Sequence, residues 1–272
     1  MNGTLYIVGT PIGNLKDITL RALETLKTAD IIACEDTRHT RVLLSHYGIN
    51  TKLISYHQHN ERTATEEIKE YLNSGKSVAL VTDAGMPGIC DPGAIVISEL
   101  RQQGFVTEVI PSATALTSAV SLAGIKESGF VFLGFLPEKL KDKDALLESY
   151  KNSPLPLALY CAPHDLNKII DYLYKKLGNR VLKSVKEITK LHETVYTGTL
   201  SEPNIENIKG EFVLIVEPPV LHESNEDIIT HELKTLIKSG MPKSEAVKEV
   251  AKKLSLPKNT VYEIALSIGN YG

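Results

Sequence analysis

Leu5-Tyr6-Ile7-Val8-Gly9-Thr10-Pro11-Ile12-Gly13-Asn14 carries the chain from a short apolar, β-branched run straight into a loop of glycine and proline. The same succession recurs at Val78-Ala79-Leu80-Val81, which leads through Thr82 into Asp83-Ala84-Gly85-Met86-Pro87-Gly88-Ile89-Cys90-Asp91-Pro92-Gly93. Short continuous apolar runs of this kind read as strands buried on both faces of a parallel sheet. Loops leaving the carboxyl ends of such strands are where open α/β sheets take ligands, so the two loops together predict a crevice. Neither loop has the G-x-G-x-x-G spacing of a dinucleotide site or the Gly-Lys-Ser/Thr of a P-loop, and a pyrophosphate cradle gains no support. A ligand met by main-chain amides and carbonyls fits better, with Asp83 as a carboxylate for a hydroxyl pair or a cationic centre.

Outward from these loops, strand and helix alternate over the first 120 residues. Strands are predicted at 5–8, 31–34, 52–55, 78–81 and 106–110, with helices at 19–27, 39–47, 61–72 and 94–102. Five strands with intervening helices make a parallel α/β domain. Gly48, Gly75 and Gly104 each follow a helical run and precede a strand-like one, as residues just past a helix end do.

A second unit begins near Ala113, where the pattern loosens through Leu116–Gly124. Strands are predicted at 130–133, 155–160, 180–188, 193–199 and 212–216, with helices at 142–150, 166–177 and 202–208. Two successive strands around Thr189–His192 imply a hairpin and therefore a mixed sheet. Pro218-Pro219 breaks the pattern and His222-Glu223-Ser224-Asn225 reads as a linker. Helices at 227–238, 243–254 and 258–268, joined by Ser239-Gly240-Met241-Pro242 and Ser255-Leu256-Pro257, form a helix-turn-helix-like tail. The expected division is 1–113, 114–222 and 225–272. The tail suits nucleic-acid binding through Lys258-Asn259-Thr260 and equally suits a small packing or dimerisation bundle.

With 272 residues, a mean hydropathy of −0.07 and a net charge of −3, the chain has the composition of a globular protein. No apolar run nears the ~20 residues of a membrane span. The start enters a strand without a basic and then apolar leader, which predicts a cytoplasmic protein. Cys34, Cys90 and Cys161 are odd in number and far apart, so neither a disulfide framework nor a paired-cysteine metal site is expected. Residues 139–190 hold eleven Lys or Arg against six Asp or Glu, and residues 231–272 hold seven Lys against four Glu. Solvated helix faces explain such stretches as readily as a phosphate-binding surface does.

Between the two loops, Cys34-Glu35-Asp36-Thr37-Arg38-His39-Thr40-Arg41 follows a strand and opens a helix. Glu35 and Asp36 there suit a helix N terminus, yet the density of charge at one strand end also suits a catalytic site. His57 and His59 add an i, i+2 pair, but no third ligand is evident and no metal is expected.

From Tyr6 to Ile49, the segments Gly-Thr-Pro-Ile-Gly-Asn-Leu, Asp17-Ile18-Thr19, Arg21-Ala22 and Glu-Asp-Thr-Arg resemble the ribosomal small-subunit RNA (cytidine-2′-O)-methyltransferases, a branch of the tetrapyrrole methylase superfamily. The likeness continues through His59-Asn60-Glu61, the 83–93 loop, Gly134-Phe135-Leu136-Pro137, His192-Glu193-Thr194, residues 210–217 and the tail. The Glu-Asp-Thr-Arg and His-Asn-Glu segments set this branch apart from the tetrapyrrole-modifying relatives.

The resemblance implies two α/β domains with S-adenosylmethionine in the cleft between them, in a homodimer acting on 16S ribosomal RNA or the small ribosomal subunit. By position it assigns Pro11, Ile12, Asp83, Ala84, Met86, Thr114, Ala115 and Cys161 to the cofactor. Glu35 or Asp36 becomes the base. Arg21, Arg38 and Arg41 would meet RNA phosphates, and His59 and Glu61 would position the nucleotide. The chain departs from the family pattern at Met86, usually Thr, and at Ser112, usually Gly. Two other readings stay open: a methyltransferase of tetrapyrroles or other small molecules, and a catalytically silent RNA-binding protein.

Overall fold

Two five-stranded sheets carry the body of the protein in a computed structural model that describes residues 2–219, 225–254 and 256–268. In the first half, β1 (Thr4–Val8), β2 (Ile31–Cys34), β3 (Lys52–Ser55), β4 (Val78–Leu80) and β5 (Val106–Ile110) alternate with α1 (Leu20–Thr28), α2 (Thr37–His46), α3 (Glu61–Asn73) and α4 (Ala94–Gln102). The sheet is parallel throughout, in the order β3-β2-β4-β1-β5. Its period-2 alternation is visible within single strands. Ile31 and Ala33 face the α3–α4 side with Ile68, Leu72, Val96 and Leu100, whereas Ile32 and Cys34 face the α1–α2 side with Leu26 and Leu44. The three expected helix stops hold: Gly48, Gly75 and Gly104 have φ of 64°, 83° and 82°.

In the second half, α5 (Ala115–Ala123), β6 (Val131–Phe135), α6 (Leu140–Tyr150), β7 (Leu157–Cys161), α7 (Leu166–Leu177), β8 (Val181–Lys186), β9 (Thr194–Thr199) and β10 (Phe212–Val216) build a sheet ordered β6-β7-β10-β8-β9. Only the β6–β7 pair is parallel, so the sheet is mixed, with β8 and β9 forming the predicted antiparallel pair. β10 lies at its centre and is buried along its whole length. Leu214 packs with Leu159, Leu182 and the α7 residues Ile170 and Leu173, while Val213 and Ile215 pack on the other face with Ala119 of α5. Arg180, buried beneath these helices, donates to the carbonyls of Leu177 (3.0 Å) and Lys151 (2.5 Å), capping the C-terminal ends of α7 and α6.

Three expectations need correction. The loosened stretch after Ala113 is a helix, α5, because Thr114 caps it through Thr117 N and Gly124 ends it at φ 59°. The helix expected at 202–208 does not form. Pro203 and Asn204, whose φ is 55°, break it, and Asn204 instead bonds back to the Thr197 carbonyl. Of the expected linker, His222, Glu223 and Ser224 lie outside the described residues, and Asn225 already begins a helix.

Contacts divide the chain into two compact units, residues 1–219, which hold both sheets, and residues 220–272. The second unit consists of α8 (Asn225–Lys238), α9 (Lys243–Lys253) and α10 (Lys258–Ser267) around Ile229, Leu233, Val247, Val250, Val261 and Ala265.

Leu214→Ala removes a fully buried side chain from the central strand. It should lower stability by about 2–5 kcal/mol, read as a drop in the urea midpoint with the slope unchanged.

Candidate functional site

β1 and β4 are neighbours, so the two glycine loops leave the sheet side by side. They bond to each other: Thr10 N donates to Gly85 O (2.9 Å) and Gly85 N returns a bond to Thr10 O (3.2 Å), while the Thr10 hydroxyl donates to Thr82 O (3.0 Å). Gly9 sits where no side chain fits, because a Cβ there would lie 2.5 Å from both Met86 Sδ and Ser112 Cβ.

Beyond the loops opens a cleft of about 450 Å³ between the two sheets. Ile12, Ala84 and Met86 form one wall and the first turn of α5 another, while the end of β7, together with Ile188, Phe212 and Val213, closes the far side. The residues present fit S-adenosylmethionine. The walls are mainly apolar, α5 presents the unpaired amides of a helix N terminus, and the Ser112 hydroxyl beside Gly9 is buried without a partner among the described residues. Of the eight residues expected to meet a cofactor, six line the cleft: Ile12, Ala84, Met86, Thr114, Ala115 and Cys161. Pro11 is buried within its loop and does not reach the cleft, nor does Asp83, whose carboxylate accepts from Asp36 N at 3.2 Å. Burial pushes the Cys161 thiol up to about 12, so it lines the wall as a neutral group.

The two candidate bases differ in what holds them. Among the described residues Glu35 accepts one hydrogen bond, from the Thr82 hydroxyl at 3.0 Å. Asp36 caps α2 through Arg38 N (2.8 Å) and accepts two more bonds from the Arg38 guanidinium (3.1 and 2.7 Å). Those bonds from Arg38 hold the Asp36 carboxyl well below the usual carboxylate range, which makes it a weak proton acceptor. Arg38 is nonetheless 89% exposed. Arg21 donates to the Val109 carbonyl on the edge strand at 3.1 Å, and Arg41 is exposed on α2. His59 is exposed, its ring 5.9 Å from that of His57. Glu61 accepts from the Tyr56 hydroxyl (3.2 Å) and Gly93 N (3.3 Å), anchoring the far end of the second loop to α3.

Sequence reasoning passed over several residues of the cleft. Asp91 stood inside the quoted loop, and its charge was the signal. The structure puts it on the cleft wall, where burial, followed by the charges of Glu35 and Asp83, pushes its carboxyl up to about 6. Phe135 and Tyr160 face the same space, as does Lys190, which pairs with Glu187 (2.9 Å) and Glu211 (2.8 Å).

The sequence profile of the tetrapyrrole (corrin/porphyrin) methylases matches residues 4–204, and the chain belongs to this family. Solved structures agree on the fold: diphthine synthase superposes with a TM-score of 0.62 at 16% identity, over 80% of this chain and 91% of that one. Uroporphyrin-III-C-methyltransferase from Thermus thermophilus does so at 0.57 and 22%, over 79% and 94%. Much nearer in sequence are proteins named ribosomal RNA small subunit methyltransferase I. That of Halalkalibacterium halodurans is 41% identical over 96% of this chain and 94% of its own, and that of a Synechocystis species 40% over 98% of each. The chain is a member of that branch, a methyltransferase whose cofactor is S-adenosylmethionine.

Gly9→Ala forces Met86 or Ser112 to move. Overpacking of about 1–3 kcal/mol should weaken S-adenosylmethionine binding roughly 5- to 150-fold by calorimetric titration, with the circular dichroism of the fold retained. Asp91 yields a pH-dependent test. Its folded pKa lies above the ordinary 3.8, so the fold favours the protonated form, and that stability is lost as pH rises through about 6. Asp91→Asn should therefore raise the melting temperature at pH 8 and change it little at pH 4.

Proposed function

We propose that this chain methylates the ribose 2′-oxygen of a cytidine in 16S ribosomal RNA. The observation that carries the reading is the near-full-length similarity to small-subunit methyltransferases. Two features of the site fit it: a lightly engaged carboxylate, Glu35, whose charge reaches the cleft wall at Asp91, and exposed arginines on the neighbouring helix.

When bound, S-adenosylmethionine supplies a methyl group on a sulfonium, already a good leaving group. What remains for the protein is to align the two reactants and take a proton from a weakly acidic hydroxyl. In this reading the paired glycine loops and the α5 N terminus orient the cofactor. Glu35, steadied by the Thr82 hydroxyl, accepts the proton, with Asp36 as the adjacent second candidate. Arg38 and Arg41, with Arg21 near the edge strand, take RNA phosphates, because guanidinium forks match phosphate oxygens. His59 positions the nucleotide from the loop before α3, and Glu61 serves it by fixing Gly93. The lysine-rich tail adds phosphate contacts. The enzyme works as a cytoplasmic homodimer on the small subunit or its RNA. Among the described residues no helix is long and apolar enough to cross a membrane.

The test is methyl transfer from labelled S-adenosylmethionine to small ribosomal subunits lacking endogenous methylation. Label should appear as 2′-O-methylcytidine. Glu35→Gln should cut kcat by roughly 10²–10⁴ with cofactor affinity kept, and Asp36→Asn should cut it less. Binding should weaken steeply as salt rises from 50 to 200 mM. Cofactor binding without label would move the acceptor to a small molecule, as would indifference to Arg38→Ala.

A further inference from the structure

Phe135, 57% exposed, ends β6 and faces the cleft. An aromatic ring left against a cavity forgoes the stabilisation of burial unless something covers it. The ring is also held firmly: its centroid lies 5.4 Å from that of Tyr160, which in turn meets Phe132 edge-on at 5.0 Å. Asp91 belongs to the same corner. A Cβ on Gly134 would come within 3.0 Å of Cys90 Sγ, and the Cys90 thiol faces the backbone of Phe135, so the loop carrying Asp91 is seated on the strand end carrying Phe135. Cys90 takes a left-handed φ of 64°, a conformation non-glycine residues hold only where the surroundings impose it. Among the described residues the half-buried Asp91 carboxylate has no hydrogen-bond or ion-pair partner.

A flat exposed ring beside an unpartnered acceptor suits a nucleobase out of its stack, presenting an amine. Enzymes acting on a nucleotide within RNA take the base out and hold it between aromatic stacking and edge hydrogen bonds. Cytosine offers an N4 amine to a carboxylate, whereas uracil puts a carbonyl oxygen at that position, which a carboxylate repels.

We infer that Phe135 and Asp91 form the pocket for the target cytosine, the ring as its stacking face and the carboxylate as acceptor for its exocyclic amine. The inference rests on the RNA reading above and adds to it the residues that choose the base. Other groups around Asp91 set its charge. Glu35 at the end of β2 and Asp83 after β4 oppose ionisation, Cys90 and Tyr160 are neutral neighbours, and His164 and Lys190 line the same cleft. The acceptor is therefore charged at neutral pH and lost on acidification through about 6.

The experiment first maps the methylated cytidine with the wild type, then compares small subunits carrying cytidine or uridine at that position. Asp91→Asn should lower the cytidine-to-uridine ratio of kcat/KM about tenfold. The wild-type ratio should fall as pH drops below 6, a comparison in which the common loss of hydroxyl ionisation cancels. Phe135→Ala should raise KM for either target roughly 5- to 150-fold with S-adenosylmethionine affinity unchanged, and Phe135→Tyr should restore it. A ratio unchanged in Asp91→Asn, or a Phe135→Ala variant whose defect lies in cofactor binding, overturns the inference while leaving the RNA reading intact. A wild type that labels no ribosomal cytidine overturns both.

Discussion

Two backbone hydrogen bonds, Thr10 to Gly85 and back, join the loops that leave β1 and β4, and the rest of the cleft is arranged around that junction. They need no side chain, only that the two strands be adjacent in the sheet, which the order β3-β2-β4-β1-β5 provides. Once paired, the loops bring Gly9 against Met86 and Ser112 so closely that glycine is the one residue that fits. The second loop is then tied at two further points, Asp83 to the start of α2 and Gly93 to Glu61 on α3. Residues the sequence marked as chemical, Asp83 and Glu61, thus spend their hydrogen bonds on holding the loop that lines the cleft. A three-point attachment also explains how a segment with left-handed φ at Gly85, Gly88, Cys90 and Gly93 keeps one conformation.

The opposite wall is held by a second polar junction. The turn between β8 and β9 places Glu187 and Thr189 at φ 51° and 64°, left-handed conformations that cost of order 1–3 kcal/mol each. Contacts with the first loop offset that cost: the Thr189 hydroxyl bonds Asp17, Asn14 donates to the Thr189 carbonyl (3.4 Å), and Lys190 passes over Gly13. The hairpin of the second sheet thereby rests on the loop of the first, and cleft width is set by side chains rather than by a continuous core.

How much of this was legible follows from where the information lies. Short apolar or β-branched runs and helices with one apolar stripe announce themselves in the sequence, so the five strands of the first sheet, the mixed character of the second and the three tail helices could all be read. α5 was missed because its run of Ala, Leu, Val and Ser is apolar without a polar face, and only Thr114 and Gly124 bound it. The stretch 202–208 has helical composition, but Pro203 sits at its start and its backbone bonds go to β9. At the site, residue types were visible and their partners were not. Nothing local says that Glu61 reaches Gly93, or that Asp91 and Phe135, 44 positions apart, share a corner. The first is made where α3 packs beside the loop after β4, the second where the two sheets face each other across the cleft.

Charge is layered across this site, and the layering constrains what can enter. Glu35, Asp83 and Asp91 gather at the inner end, close enough that two of them raise the third, while Arg38 and Arg41 stand outside on α2. An acidic interior favours a sulfonium and disfavours phosphate, since opposite charges attract and like charges raise each other's cost in a partly desolvated space. A polyanion is therefore better accommodated along the arginine rim than in the acidic interior, which suits a neutral or cationic group. The two carboxylates at the end of β2 differ in what engages them: among the described residues Glu35 accepts a single hydrogen bond, from the Thr82 hydroxyl. Donors on a carboxylate stabilise its charge and weaken it as a base, as Arg38 does to Asp36. Neighbouring carboxylates on the same strand end are thus separated in chemistry by one guanidinium: Asp36 is committed to the helix, and Glu35 is not.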